Sequence, residues 1–427
     1  MSHAVDVVIV GGRCAGAALA TLLARAGQRV VVVDQARFPS DSPSTHAIQP
    51  NGVRALDRLG VRARLTACTT PIEHGELALD DVRIPIRDLS ALTGAPMLNV
   101  RRSVLDQILL DNAAAAGADV RTRSRVTGLV ERDGRVVGVD TTTGRVCARL
   151  VVGADGVRST VAQLIGAREY AVTEPGRLFV WAYFEGAAHD GGIRLGRIRD
   201  HGYLASPTDS DLYIAAVAPD MCRRAEVLAD PAAAHARAVA DWPELADTLA
   251  PARRVGPVRT MPRWRGYFRT SAGPGWVLLG DAGHFKDPTL GQGISDAFRQ
   301  ATTLADTITS TPDDRALHRW WRRRDRDAWE MYWLSRQIGA AGHPRAVTAE
   351  IQRLLAADPQ RIERLLRVID HDLAPSRLFT PGLALHALAR ALRRPGGRAD
   401  AVGEAAILAR DAASRAFRGT RSVSVRL

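Results

Sequence analysis

The stretch "VVIVGGRCAG", residues 7–16, joins an apolar run to a glycine-rich turn. Such a run is typical of a parallel strand buried on both faces, and the glycines end it. The turn departs from the dinucleotide-binding pattern G-x-G-x-x-G, because Gly11 and Gly16 keep the outer positions while Arg13 takes the middle one. The residues around the turn therefore have to decide whether it binds a nucleotide.

The residues that follow complete a βαβ unit. Residues 15–26 are rich in Ala and Leu and predict a helix, Gly27 closes it, and "RVVVVD" (29–34) predicts a second buried strand. That strand ends in Asp34, where an acidic side chain can accept hydrogen bonds from ribose hydroxyls. Strand, glycines, helix, strand and terminal acid together predict an adenine dinucleotide site.

Arg13 leaves two interpretations open. Gly11 still permits the tight turn, and Gly16 still lets the helix pack close to the strand. The side chain of Arg13 either reaches over the pyrophosphate, where a guanidinium can pair with phosphate oxygens, or lies solvated at the rim of the loop.

Two later motifs also place polar residues after buried strands. They are "LVVGADGVRST" (150–160) and "GWVLLGDAGHFKDPTLGQGISDAF" (275–298), and each carries an acid directly after its strand, Asp155 and Asp281. The second motif ends in a glycine-rich helix start, which presents free N–H groups and the positive end of the helix dipole to an anion.

Together these motifs resemble the para-hydroxybenzoate hydroxylase-type family of FAD-dependent monooxygenases, whose relatives include geranylgeranyl reductases and flavin-dependent halogenases. The segment "RRSVLDQILLDNAAAAGADV" (101–120) resembles the family's arginine-led helix beneath the flavin chain. The resemblance implies an α/β fold: an FAD-binding Rossmann-like domain, a mixed-sheet substrate domain and a helical C-terminal region. It also implies non-covalent FAD, with NADPH or NADH as a transient reductant.

The resemblance assigns cofactor-binding roles residue by residue. Glycines and Arg13 frame the pyrophosphate, Asp34 holds the adenosine ribose, Asp281 holds the ribityl chain, and Arg102 (with Arg101 as the alternative) contacts the flavin. The full cofactor-binding set is Gly11, Gly12, Arg13, Gly16, Asp34, Arg102, Asp155, Gly156, Asp281, Gly291 and Gly293.

The resemblance also places a second set beside the reacting ring. Pro288, Gly291 and Gly293 would border the isoalloxazine, and "SPSTHAIQPNGVRALDRLG" (42–60) matches a flexible segment beside the flavin. The candidate catalytic residues are therefore Thr45, His46, Pro288 and Gly293. For proton transfer, His46, His201 and His284 stay open.

The implied activity is that of a single-component flavin monooxygenase. NAD(P)H would reduce FAD, and a C4a-hydroperoxyflavin would hydroxylate or epoxidise an electron-rich aromatic or polycyclic compound of secondary metabolism. The alternative is an FAD-dependent reductase of isoprenoid double bonds, with which the apolar, helical C-terminus is compatible. A halogenase is disfavoured, because no lysine precedes Lys286 and no tryptophan precedes Trp181.

We expect three regions. Residues 1–70, 99–166 and 273–306 would form a discontinuous FAD-binding domain, and residues 71–98 and 167–272 the substrate domain. Residues 307–427 would form the helical region, punctuated by prolines. Trp181, Tyr183 and Tyr203 are either pocket residues or sheet core, and Trp320, Trp321, Trp329 and Trp333 have helical spacing that favours packing.

Composition limits the partners. The chain has 427 residues and a formal net charge of +12, carried almost wholly by arginines spread along the sequence, which disfavours nucleic acid and suits anionic ligands. No apolar run is long enough for stable membrane insertion, and four scattered cysteines suggest a cytoplasmic protein. No metal-binding motif is present. The expected partners are a small-molecule substrate and O₂, with a monomer or homodimer as the assembly.

Overall fold

The computed structural model describes residues 5–44, 46–311, 313–394 and 398–409. Its strands, in chain order, are β1 (Val5–Val10), β2 (Val30–Val33), β3 (Ala47–Ile48), β4 (Gly75–Leu79), β5 (Val82–Ile86), β6 (Leu98–Asn99), β7 (Asp119–Arg121), β8 (Val126–Arg132), β9 (Arg135–Thr141), β10 (Gly144–Gly153), β11 (Glu169–Thr173), β12 (Phe179–Glu185), β13 (Ile193–Ile198), β14 (His201–Pro207), β15 (Leu212–Ala218), β16 (Arg253–Met261), β17 (Gly266–Arg269), β18 (Ala272–Gly273), β19 (Trp276–Leu278) and β20 (His284–Phe285).

The helices connect and cover these strands. They are α1 (Cys14–Arg25), α2 (Pro50–Leu59), α3 (Arg62–Thr66), α4 (Leu89–Thr93), α5 (Arg102–Ala115), α6 (Thr160–Leu164), α7 (Arg224–Ala229), α8 (Pro231–Ala240), α9 (Pro243–Leu249), α10 (Gly293–Ser310), α11 (Asp314–Ile338), α12 (Ala346–Ala356), α13 (Pro359–Ile369) and α14 (Pro381–Leu392). Residues 398–409 are also helical. Short 3₁₀ turns lie at Met221–Arg223, Gly280–Ala282, Pro288–Leu290 and Pro375–Arg377.

The largest sheet carries the nucleotide-type unit. Its strand order is β18-β19-β10-β1-β2-β7, and β19, β10, β1, β2 and β7 run parallel. Along β1, Val7 and Ile9 pack into one core and Val8 and Val10 into another, so the strand is buried on both faces. This two-sided burial explains the uninterrupted apolar run in the sequence. The carboxyl ends of the parallel strands meet at one edge of the sheet.

Strands β8 and β9 and the first part of β10 form a β-meander. The first part of β10 pairs antiparallel with β9, and β9 pairs with β8, while the second part of β10 continues into the parallel sheet beside β1. One long strand therefore joins the meander to the centre of the FAD-type domain. The strands of this sheet come from residues 5–33, 119–153 and 272–278, separated by other parts of the chain.

The second large sheet has the order β16-β12-β15-β14-β13-β4-β5. Strands β4 and β5 come from an early part of the chain and join strands that lie more than 90 residues later. The sheet's outer face packs against α8 and α9, where Val180, Tyr203 and Val217 meet Trp242. Its inner face, with Trp181, Ile214 and Ala216, is turned towards the part of the chain built around the largest sheet, here called the first domain.

The C-terminal helices form a further core of their own, which also contacts β5. Pro359 and Pro381 stand at the first turns of α13 and α14, where proline's missing N–H costs no helical hydrogen bond. Helix α10 continues to Ser310, beyond the predicted boundary at residue 306; the three region boundaries stay predictions. Pro312, Pro395 and residues 410–427 lie outside the described residues. Among the helices that are described, none is both long and apolar enough to cross a bilayer.

Candidate functional site

The three strand-end motifs converge at the carboxyl edge of the large sheet. A Cβ on Gly11 would meet the backbone of Ala154, and one on Gly16 would overlap the carbonyl oxygen of Gly11. A Cβ on Gly280 would lie 3.0 Å from that of Ala15. The glycines therefore allow three loops and the start of α1 to approach one another. Gly11 also has a φ of 103°, a conformation that favours glycine.

Asp34 lies at the end of β2, as predicted. Its carboxylate accepts the backbone N–H of Gly12 at 2.7 Å and that of Ala36 at 2.7 Å. These two bonds fix the carboxylate beside the glycine loop.

Arg13 is held by protein groups. Its guanidinium donates to Asp106 at 2.6 Å and to Ser40 at 2.9 Å. Asp106 is fully buried, and it also accepts from Arg102 at 3.0 Å and from the thiol of Cys14 at 3.3 Å. The Arg102–Asp106 pair follows the i, i+4 spacing of α5. Two arginines thus neutralise one buried acid beneath the loop.

The carboxylate of Asp155 makes its hydrogen bonds within the turn that follows β10. It accepts the hydroxyl of Ser159 at 2.5 Å and the N–H groups of Thr160 at 2.6 Å and Val161 at 3.2 Å. Burial raises the pKa of Asp155, and these bonds oppose that rise. Gly156, beside it, has a φ of 76° and open space where a Cβ would stand.

Asp281 differs from Asp155, because its carboxylate has no hydrogen bond or ion pair within the described part of the chain. Burial raises the pKa of Asp281 to about 6, and nearby Arg102 opposes the rise. The backbone around it is fixed: Tyr267 donates to the carbonyl of Asp281 at 2.7 Å, and Arg269 donates to that of Ala282 at 2.9 Å. Both side chains also bond the carbonyl of Val157, which ties this loop to the turn after β10.

The start of α10 forms another part of the site. Pro288 opens a 3₁₀ turn, Gly291 follows with a φ of 61°, and Gly293 is the first residue of α10. No side chain caps the helix, and the Cβ position of Gly293 faces open space. The free N–H groups at such a helix start attract an anion or an electron-rich edge.

A buried ionic cluster lies behind this loop. Lys286 pairs with Asp296 at 2.6 Å and donates to Gln292 at 2.6 Å, and Arg299 pairs with Asp296 at 2.7 Å. His371 comes from the C-terminal region. Its Nε2 lies 3.3 Å from Nζ of Lys286, and its Nδ1 lies 3.0 Å from a guanidinium nitrogen of Arg299. Burial lowers the pKa of Lys286, and Asp296 opposes that effect.

The neighbouring C-terminal residues strengthen the same attachment. Gln292 donates to the carbonyl of Ile369 at 2.6 Å, and Asp370 accepts the N–H of Asn51 at 2.7 Å and the Arg54 guanidinium at 3.0 Å. The segment 369–371 therefore holds both the loop before α10 and the start of α2.

His46 is completely buried and has a φ of 62°, which is rare for a residue other than glycine. Its Nε2 shares a short hydrogen bond with the hydroxyl of Tyr183, and the two rings stack with centroids 5.8 Å apart. Burial lowers the pKa of His46 to about 3, with Arg102 adding to the effect, and burial raises the pKa of Tyr183 to about 12. Both groups are therefore neutral at pH 7. Thr45 lies outside the described residues.

Three alternate residues of β12 face the first domain: Phe179, Trp181 and Tyr183. Tyr183 contacts His46, and Phe179 contacts Trp264, which in turn contacts Phe285 just before the Pro288 turn. Trp181 stands between these two connections and is 5% exposed. An apolar, aromatic wall thus lies opposite the edge where the three motifs meet.

The other candidates lie elsewhere. Tyr203 is on the outer face of the sheet, where its hydroxyl bonds the carbonyl of Ala238 at 2.8 Å. His201 pairs with Asp200 at 2.8 Å at the far end of β14, and His284 packs against Phe268 with ring centroids 4.5 Å apart. The four helical tryptophans pack: Trp320 and Trp321 in the main core, Trp329 against Trp333.

The residues present fit an FAD. Two helices, α1 and α10, begin at the same edge of the sheet without a side-chain cap. The carboxylate of Asp281 makes no hydrogen bond to the described part of the chain, and Asp34 lies at the position where a βαβ unit binds ribose. Fold and site together define a flavin-binding α/β protein with a second, roofing sheet.

The comparisons with known proteins agree. A family model described as "FAD binding domain" matches residues 4–335, and the chain belongs to that family. It is 31% identical to a menaquinone reductase of Mycolicibacterium smegmatis, over 73% of this chain and 78% of the relative. It is 30% identical to a 6-methylpretetramide 4-monooxygenase of Streptomyces rimosus, over 69% and 73%.

Among solved structures, the flavin-dependent brominase Bmp2 superposes with a TM-score of 0.74 at 18% identity, covering 90% of this chain and 98% of the other. That likeness shows the fold alone. The family membership confirms the predicted cofactor, FAD, and the predicted class, an FAD-dependent oxidoreductase of the monooxygenase type.

Several residues of the site were not predicted from the sequence. They are Tyr267, Arg269, Asp209, Arg259 and His371. None lies in a motif: Tyr267 and Arg269 come from β17, shortly before the third motif, and the other three come from distant segments. Lys286 did offer a signal, because it is the chain's one lysine and lies inside the third motif.

Proposed function

We propose that the chain is a single-component flavin monooxygenase acting on an aromatic or polycyclic substrate. In the overall reaction, substrate, O₂, NAD(P)H and a proton give hydroxylated substrate, water and NAD(P)⁺. The observation that carries the proposal is the aromatic inner wall of β12, which stands opposite the converging loops and presents a neutral His46–Tyr183 pair. Relatives with monooxygenase names support it.

The proposed cofactor contacts follow from the loops. The glycine loop and α1 would hold the pyrophosphate, Asp34 a ribose, Asp281 the ribityl hydroxyls, and the start of α10 the electron-rich edge of the ring. Arg102 and the turn at Asp155 and Gly156 would border the same cofactor. Bound FAD supplies the two-electron chemistry and the activation of O₂.

The chain's own side chains would supply three further functions. Phe179, Trp181 and Trp264 would exclude water from the reacting centre and pack against a planar ring. Tyr183 and His46 share one proton between the phenolic oxygen and Nε2, so they can pass a proton to or from a substrate oxygen. The C-terminal segment 369–371 would keep the loop before α10 in place.

A second candidate is the reduction of an isoprenoid double bond, in which substrate, NAD(P)H and a proton give the saturated product and NAD(P)⁺. It is favoured by the 31% identity to a menaquinone reductase, which is as high as that to the monooxygenase relative.

One experiment separates the two. The purified holoprotein is incubated with NADPH or NADH and isotopically heavy O₂, with polycyclic phenols in one series and isoprenoid quinones in another. Mass spectrometry that finds one heavy oxygen atom in a phenolic product supports the monooxygenase. Reduction of the quinone ring to a quinol also adds two hydrogens, so the product is reoxidised before analysis. Two hydrogens that then remain in the isoprenoid chain, without added oxygen, support the reductase and overturn the first proposal.

A further inference from the structure

Three buried nitrogens around Tyr183 lack hydrogen-bond partners among the described residues. They are Nε1 of Trp181, Nε of Arg259 and Nδ1 of His46. The indole of Trp181 lies near the Tyr183 hydroxyl and favours its phenolate form, yet it makes no hydrogen bond of normal geometry. Buried N–H groups are almost always paired, and an unpaired one costs on the order of 1–3 kcal/mol. Their clustering therefore calls for an acceptor that the protein does not supply.

The strand register brings these residues together. Trp181 and Tyr183 are i, i+2 neighbours on the inner face of β12, and Trp181 pairs directly with Arg259 on β16. Side chains of a directly opposed antiparallel pair stand on the same face, so the guanidinium lies beside the indole. Arg259 also reaches Asp41 of the first domain at 2.7 Å, so its side chain extends from the sheet towards that domain. His46 closes the group from the opposite side.

The local charge favours an electron-rich ligand. Arg101 lies over the ring of Tyr183, 5.8 Å from its centroid, and the positive charges of Arg101, Arg102 and Arg259 each lower the pKa of His46. Of the acids that face this group, Asp209 already accepts the Arg101 backbone N–H at 2.6 Å and its Nε at 2.9 Å, and Asp41 lies at the surface end of Arg259. The remaining titratable groups, His46 and Tyr183, are neutral at pH 7.

We propose that Trp181 and Arg259, with His46 beside them, form a donor subsite for an acceptor oxygen on a planar aromatic substrate, either a phenolate or a ring carbonyl. The inference rests on the proposed function, because it takes this wall as the substrate's. The substrate would stack its ring against the aromatic wall and direct one oxygen towards the indole N–H. Trp181 is then the residue that distinguishes oxygenated rings from hydrocarbons of the same shape.

The test measures equilibrium binding to the oxidised holoprotein through the flavin absorbance, with no turnover. The phenol probe is 2-naphthol, compared with 2-methylnaphthalene; the carbonyl probe is 1-tetralone, compared with tetralin. Wild type should bind at least one oxygenated probe about tenfold more tightly than its hydrocarbon match. Affinity for 2-naphthol that rises with pH identifies a phenolate subsite, whereas a preference confined to 1-tetralone and independent of pH identifies a carbonyl subsite.

Trp181→Phe keeps a ring but removes the N–H, and it should reduce the preference to less than about threefold, as should Arg259→Met. The matched control is Trp242→Phe. Trp242 is a buried tryptophan that precedes α9 and packs against the outer face of the same sheet, and its Nε1 also lacks a partner among the described residues. This variant should prefer oxygenated probes as strongly as wild type does. Failure of wild type to bind either oxygenated probe, equal affinity for both members of each pair, or a preference that survives Trp181→Phe would overturn the subsite. Absence of oxygenated product in turnover would overturn the monooxygenase alone, because binding is measured without it.

Discussion

The hydroxyl of Tyr183 and Nε2 of His46 share a hydrogen bond that joins the roofing sheet to the loop before β3 of the first domain. His46 holds this position with a left-handed backbone, and the turn before it helps, since Ser44 accepts the His46 N–H at 2.9 Å. Strained backbone of this kind costs on the order of 1 kcal/mol or more and persists where surrounding contacts enforce it. The pair is therefore a fixed feature of the wall opposite the flavin loops.

The first prediction concerns turnover. Tyr183→Phe keeps the ring and removes the shared proton, so kcat should fall by about 10²-fold if the pair acts in proton transfer. FAD content, read from the flavin absorbance, should be unchanged. Tyr203→Phe is the matched control, because it makes the same substitution on the outer face, and its kcat should stay near that of wild type. Equal kcat values for the two variants would exclude Tyr183 from the chemistry.

The second prediction concerns acid stability. The pKa of His46 is lowered from 6.5 to about 3 by burial, so between these values the unfolded chain binds a proton that the native protein does not. The contribution of His46 to the free energy of unfolding should therefore be fully present above pH 6.5 and should be lost as the pH falls towards 3. His46→Gln removes this contribution, and between pH 6 and pH 4 it should lose about 1 kcal/mol less per pH unit than wild type. Urea unfolding at several pH values measures the difference, and parallel curves would contradict it.

The third prediction separates two acids at strand ends. The carboxylate of Asp281 lacks a partner, and burial raises its pKa to about 6 from 3.8, so its ionised form destabilises the native apoprotein at pH 7. Because a raised carboxyl pKa means that stability falls as the pH rises from 4 to 6, Asp281→Asn should raise the Tm of the apoprotein at pH 7. The same variant should bind FAD at least about tenfold more weakly, since a hydrogen bond to a charged group is lost.

Asp155→Asn is the comparison for that prediction. Burial raises the pKa of Asp155 as well, but its carboxylate accepts three hydrogen bonds within the turn. The single oxygen of an amide cannot replace all three, so Asp155→Asn should lower the Tm. A lower Tm for both variants would show that Asp281 stabilises the fold before FAD binds.

The sequence predicted the parts of the site that are local. Gly11, Asp34, Asp281 and Gly293 were predicted because each lies within a few residues of a buried strand or a helix start, and the parallel sheet brings these ends together; their roles stay predictions. The predicted start of α1 was one residue late, since the helix begins at Cys14. Motifs of this type carry their own geometry in their glycines.

Sheet register was beyond that reasoning. Tyr183 and Tyr203 were equal candidates in the sequence, but Tyr203 pairs with Val217 and shares the face of Val180, whereas Trp181 pairs with Ala216 on the opposite face. Only the alignment of neighbouring strands decides which of the two tyrosines meets the flavin loops. The same holds for His371, whose 85-residue separation from Lys286 leaves no local pattern to detect.

The fourth prediction tests the cluster behind the α10 loop. Lys286→Met leaves Asp296 buried with one arginine, and removal of one partner of a buried pair should destabilise the protein by about 3–5 kcal/mol. FAD affinity should fall as well, because Gln292 loses the lysine that holds it beside Gly293. Adding Asp296→Asn to Lys286→Met should restore part of the stability. Arg145→Met breaks an exposed pair with Asp140 and should change neither quantity measurably.

The fifth prediction returns to the arginine in the glycine loop. Arg13→Gly restores the pattern G-x-G-x-x-G, yet it also removes one of the two guanidinium groups that neutralise Asp106. We expect the variant to lose about 1–3 kcal/mol of stability, because a fully buried carboxylate loses a charge-assisted bond. Asp106→Asn alone should also destabilise, but the double variant should lose less than the sum of the two, since neither partner is then left unpaired.

The measurement is a double-mutant cycle in urea on the apoprotein, followed by FAD titration of all four forms at two salt concentrations. A coupling energy of about 1 kcal/mol or more assigns Arg13 to the support of Asp106. If Arg13 also pairs with the pyrophosphate, Arg13→Gly should weaken FAD binding even in the Asp106→Asn background, and the loss should shrink at high salt, because a guanidinium that is 27% exposed is partly screened. No coupling, together with tighter FAD binding by Arg13→Gly, would show that the loop merely tolerates its arginine.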